Sequence, residues 1–192
     1  VFGVLAAAAR LSARCLTTWK SLCERAPNAV ILVCPLNASD RAPIRRALLA
    51  AGIRDAQIRA LPGGYVRPRD LSLNGVVDII LDTMPGSDYF STRAAILDAI
   101  PIVTTSGRMF EERIAFSMLT QLGDTSTVGE SGRDYVDIAT RLATDKGARA
   151  ESASRMRRLL SASALLDATG YVARFEAALF TMTATPRAAQ TV

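Results

Sequence analysis

The side chains best suited to chemistry are few. Ser91 and Thr92 follow the apolar run VVDIILD (76–82) and a polar loop, 83–91, at the point where a helix is expected to open. Hydroxyls there, beside the unpaired N–H groups of a helix start, are the equipment of a phosphate seat. Ordinary N-capping by Ser or Thr uses the same residues. Tyr89 and Phe90 set bulk beside them. Arg10 and Arg67 could bring charge-assisted hydrogen bonds to an anion, although a salt bridge from Arg67 or Arg69 to Asp70 is the plainer use of those residues.

Other chemistries lack their parts. The chain has no histidine, which excludes an imidazole base within it. Its carboxylates do not group, so no metal site and no cofactor are expected. Pro62-Gly63-Gly64 carries neither the GxGxxG nor the GxxxxGK spacing of a phosphate loop. Cys15, Cys23 and Cys34 form no CxxC pair and read as free buried thiols in a reducing compartment, which points to the cytoplasm.

The elements that would position these residues alternate. Helical spacing runs from Leu11 to Glu24, and AVILVC (29–34) reads as a buried strand. Asn37 to Asp40 offers caps for a helix through Ala51, closed by Gly52. Residues 53–60 form a second short strand, and a short helix from Asp70 reaches Asn74-Gly75. Residues 76–82 are the clearest central strand, followed by a helix from Thr92 to Asp98, a strand at PIVTT (101–105) and a helical stretch from Gly107 to Leu122, stopped by Gly123. Three helices follow, at 134–143, 148–160 and 171–182, expected to pack back across the sheet. The pattern predicts an α/β domain over 1–182, a Rossmann-like doubly wound parallel sheet with C-terminal helices, and a frayed tail over 183–192.

With 192 residues, 49% of them hydrophobic and 21% charged, the chain can bury a real core. Its apolar runs fall far short of the ~20 residues of a membrane span, and VFGVLAAAAR lacks the basic start of a secretory signal. The opening on Val1 reads as a cut. The net charge of +5 comes mainly from scattered arginines; only Arg155, Arg157 and Arg158 cluster, around a solvated face, so no nucleic-acid partner is expected.

Residues 81–123 say more. Leu81-Asp82-Thr83, Pro85, Pro101, Val103-Thr104, Gly107, Phe110, Arg113, Ser117, Leu119, Leu122 and Gly123 fall in step, without a gap, with the strand, loop, helix, strand and helix signature of a known family. The chain resembles the C-terminal, nucleotide-sugar-binding half of the O-GlcNAc transferase (SPINDLY/OGT-like) family. Val1-Phe2-Gly3, Leu11 and Trp19 match the entry into that half, and Asp134-Tyr135, Ala139, Leu142-Ala143, Asp145 and 163–167 its helical end.

The resemblance implies one half of a GT-B glycosyltransferase, a UDP-sugar donor of the UDP-GlcNAc type, and transfer to Ser or Thr of a protein acceptor held by an N-terminal half or helical repeats not contained here. It implies no metal. The diphosphate would lie over the helix start, placing the donor contacts at Arg10, Arg67, Asp70, Phe90, Ser91 and Thr92; no catalytic residue is assigned. Several of these positions depart from the family. Arg10 stands for its phosphate-side lysine and Ala6 for the Asn before it, Asp70 for its base-stacking histidine, and Ala94 for the carboxylate that grips the ribose. Loss of one such charged hydrogen bond costs about 1.5–3 kcal/mol. An inactive descendant serving as a binding or protein-interaction module is the alternative expectation, and the isolated chain is expected not to turn over.

Overall fold

Apolar residues on both faces of the central strands require cover on both sides, and the chain supplies it. A computed structural model describes residues 1–35, 37–61 and 73–184. Six parallel strands, β1 (Phe2–Ala6), β2 (Ile31–Pro35), β3 (Ile58–Ala60), β4 (Ile79–Leu81), β5 (Ile102–Thr105) and β6 (Val128–Gly129), form one sheet in the order β3-β2-β1-β4-β5-β6. Side chains alternate with period two. Phe2, Val4, Ile31, Val33, Ile79, Leu81 and Val103 enter one core, while Leu5, Cys34, Ile80 and Ile102 enter the other.

Among the described residues seven helices occur, α1 (Ala13–Arg25), α2 (Arg41–Ala50), α3 (Tyr89–Leu97), α4 (Ile114–Leu122), α5 (Gly132–Thr144), α6 (Lys146–Leu160) and α7 (Ala168–Ala184), and the first six cover the sheet. The first core takes Trp19 and Leu22 of α1, Ile44 and Leu48 of α2, and Tyr135 and Leu142 of α5. The second takes Ile96 of α3, Leu119 of α4 and Met156 of α6. Chain direction across the sheet reverses between β1 and β4, which makes this a doubly wound fold with its switch point at that pair. The fold class expected from the alternation is the one observed.

Four details differ from the sequence reading. β1 was not anticipated, and neither was the two-residue β6. The central strand is shorter than 76–82: Val76 is exposed in a turn, and the ladder starts where the Asp78 N–H donates to the Val1 carbonyl at 2.9 Å. The strand expected over 53–60 is confined to 58–60, behind a 3-10 turn at Asp55–Gln57. Finally, α5 and α6 do pack back, but nearly every residue of α7 is exposed, and its main packing is on the 3-10 turn Ala164–Leu166. The glycine turn at 62–64, the start of the short helix at Asp70 and the tail from 185 lie outside the described residues. No helix among the described residues is long and apolar enough to cross a membrane.

Candidate functional site

At a switch point the two flanking strands send their carboxyl-end loops in opposite directions, leaving a crevice between them. Here one wall is the segment after β1, with a 3-10 turn at Ala8–Arg10 and then Ser12, which caps α1 by accepting from the Cys15 N–H at 3.0 Å. The other wall is residues 82–88, which turn at Gly86 with φ +95°, a left-handed value that favours glycine. Side chains tie the walls together. Arg10 Nη1 donates to the Ser87 carbonyl at 2.8 Å, Arg10 Nη2 lies 3.9 Å from Asp88 Oδ1, and the Ser12 hydroxyl donates to the Met84 carbonyl.

The helix start is built differently from the expectation. α3 opens at Tyr89, three residues before Thr92, and its cap is Asp88, whose Oδ2 accepts from the Ser91 N–H at 2.8 Å. The capping role considered for Ser91 and Thr92 therefore belongs to an aspartate. Both hydroxyls turn back to the Asp88 carbonyl instead, at 3.2 and 2.7 Å, and both residues are buried. Tyr89 and Phe90 are about half exposed, packed edge to face with ring centroids 5.4 Å apart. Ala94 sits in the second core, beside Ala95 and Ile96. The structure thus brings Arg10, Phe90, Ser91 and Thr92 to one edge; Arg67 and Asp70 lie outside the described residues.

Behind the loop is a buried network whose members Asp82, Thr83, Thr104, Trp19 and Tyr135 stand in the sequence only as positions shared with the family. Asp82 is 3% exposed. Its Oδ2 accepts from Thr104 Oγ1 at 2.7 Å and its Oδ1 from the Thr83 N–H at 3.0 Å. Burial pushes its carboxyl up to about 6, against the hydrogen bonds from Thr104, Ser87 and the Thr83 and Asp88 amides that favour the charged form. The Tyr135 hydroxyl donates to the Asp82 carbonyl at 3.0 Å and accepts from Trp19 Nε1 at 3.3 Å, joining α5, β4 and α1. Burial likewise pushes the Cys15 thiol up to about 12 and those of Cys23 and Cys34 up to about 11, so none offers a thiolate near neutral pH.

A polar cleft of about 550 Å³ opens at the same sheet edge between the β4 and β5 loops, lined among others by Arg14, Thr83, Gly86, Arg108, Glu112 and Glu130. Glu112 is committed: it accepts from the Arg108 and Met109 amides at 2.7 and 3.3 Å, which hold its carboxyl below the ordinary range. Among the described residues no group of carboxylates and thiols could hold a metal ion. What this edge carries, among the described residues, is hydroxyls, backbone amides and the guanidinium groups of Arg10, Arg14 and Arg108, which suit an anion or a sugar. Asp88 and Ser12 had a local sequence signal, a capping residue type three residues before Ser91 and Cys15, the spacing of an N-cap and its N3 amide.

Comparison with known proteins agrees with this architecture. The model of Glycosyl transferase family 41 matches residues 1–175. The chain is 26% identical over 180 residues to the "Probable UDP-N-acetylglucosamine--peptide N-acetylglucosaminyltransferase SPINDLY" of Oryza sativa subsp. japonica, covering 92% of this chain and 19% of that protein. Against a Caenorhabditis elegans UDP-N-acetylglucosamine--peptide N-acetylglucosaminyltransferase it is 22% identical over 156 residues, 81% of this chain and 14% of that one. The structure superposes on a mutant O-GlcNAc transferase of Thermobaculum terrenum with a TM-score of 0.84 at 25% identity, covering 94% of this chain and 35% of that chain. The chain therefore spans about a fifth or less of these curated relatives. From the match over nearly its whole length, and from a parallel sheet shared with an O-GlcNAc transferase, the chain belongs to glycosyltransferase family 41, to its C-terminal region.

Proposed function

We propose that this domain is the nucleotide-sugar-holding half of a protein O-glycosyltransferase, receiving a UDP-sugar of the UDP-GlcNAc type at the crevice between the β1 and β4 loops, for transfer to Ser or Thr of a protein acceptor. The observation that carries the reading is the placement of Arg10 and the α3 start at the switch point of a family 41 sheet, where α/β folds seat phosphates. The acceptor would be held by other parts of a longer polypeptide, in line with relatives named as peptide glycosyltransferases. Three buried free thiols fit a cytoplasmic setting.

A second reading, a descendant that binds without turnover, is favoured by one specific feature: a carboxylate, Asp88, already occupies the α3 N-terminus. Calorimetry of the purified chain with UDP-GlcNAc, UDP, ADP and GDP tests both readings. The expected result is weak binding, similar among the diphosphates because phosphate contacts outlast those to base and ribose, with no turnover of UDP-GlcNAc above a heat-treated control. Turnover by the isolated chain contradicts the second reading, and absence of any binding contradicts the first.

A further inference from the structure

The α3 N-terminus carries an anion of its own. Asp88 is 6% exposed, accepts the Ser91 N–H, and faces Arg10, the cation reaching in from the β1 loop. Arg10 is further held by the Ser87 carbonyl, and the Ser91 and Thr92 hydroxyls are spent on the Asp88 carbonyl. Among the described residues, Arg10, Ser91 and Thr92, which a diphosphate would draw on at this edge, are thus committed within the chain. A helix start stabilises a nearby negative charge, but a second anion entering within bonding distance of the first meets like-charge repulsion at close range.

We infer that Asp88 and Arg10 form a latch across the crevice that competes with diphosphates and weakens their binding, making Asp88 the residue that sets the anion affinity of this edge; the inference rests on the reading of the crevice as the nucleotide seat. The latched form favours neutral or singly charged groups, such as a sugar hydroxyl face, over a diphosphate. Replacing the Asp88 carboxylate by a neutral amide opens the latch: Arg10 then keeps only the Ser87 carbonyl and can turn to an incoming phosphate, while the amide oxygen still caps the helix.

Asp88→Asn isolates the charge, because Asn caps a helix start as well as Asp does; an unchanged circular dichroism melt verifies that α3 is intact. UDP, ADP and inorganic pyrophosphate are titrated into the wild-type chain, Asp88→Asn and the double variant Arg10→Ala/Asp88→Asn. The expected result is a gain of about tenfold or more for all three probes in Asp88→Asn, the scale of one charge-assisted hydrogen bond, and its loss in the double variant. Equal affinity of wild type and Asp88→Asn for every one of the three probes overturns the inference and leaves the nucleotide reading standing. A gain for pyrophosphate with none for UDP overturns the nucleotide reading and leaves the inference standing. A gain that survives removal of Arg10 overturns the latch.

Discussion

Trp19→Ala is expected to cost about 3–5 kcal/mol of folding stability. Trp19 is fully buried where α1 meets the sheet and α5, and its indole N–H donates to the equally buried Tyr135 hydroxyl. Truncation removes a large apolar surface and leaves a cavity between three elements that can collapse only by moving α1. It also takes one partner from a hydroxyl that cannot reach water. Tyr135→Phe deletes the hydroxyl itself, so that the Trp19 N–H and the Asp82 carbonyl each lose that partner, at about 1–3 kcal/mol for each group left unsatisfied. Urea denaturation of the three proteins measures both. A loss under about 1 kcal/mol for Trp19→Ala would mean that α1 is not held as described.

The second large effect is in pH dependence. A carboxyl raised from 3.8 to about 6 by burial binds its proton more tightly in the folded than in the unfolded chain. The stability it contributes is therefore full below about pH 4 and is lost as pH rises through about 6. Two units correspond to about 3 kcal/mol, the penalty of keeping Asp82 ionised in the folded protein at neutral pH. Asp124 and Glu112 act in the opposite sense. Burial raises Asp124, but hydrogen bonds from Ser126 and Arg155 outweigh it, and amide hydrogen bonds hold Glu112 low. The informative quantity is thus the stability difference between wild type and Asp82→Asn. Asn can still accept from the Thr83 N–H and can donate to the Thr104 hydroxyl. The difference, wild type minus variant, is expected to fall by about 3 kcal/mol between pH 3 and pH 7; a flat difference would show that Asp82 titrates as an ordinary aspartate.

Much of the architecture could be read from residue order, for reasons that particular segments make plain. Residues 31–35 and 79–81 are apolar on both faces, the pattern of a strand covered on two sides. β1 escaped because FGVLA runs straight into further alanines, with no turn residue to close it. β6 is two residues long, below any periodic signal. Val76 and Val77 looked like strand because local composition cannot tell a turn packed on the core from the ladder beside it.

The site was legible in part for a similar reason. Arg10, Ser91 and Thr92 do meet at the sheet edge, since the β/α boundary that places them is periodic. Asp88 went unread because the helix start was placed at Thr92, which hid the cap spacing. Asp82 was visible only as a retained motif residue. Its raised pKa comes from burial, against the lowering hydrogen bonds from Thr104 of β5 and Ser87 of its own loop, and Tyr135 reaches its carbonyl from 53 residues away.

The central claim is that nucleotide binds at the crevice between the β1 and β4 loops. An amide-detected NMR titration of the chain with UDP tests it directly. The account predicts progressive shifts concentrated in residues 7–12 and 83–92, with fast exchange reflecting weak binding. Shifts centred elsewhere on the domain, or none at saturating UDP, would contradict it.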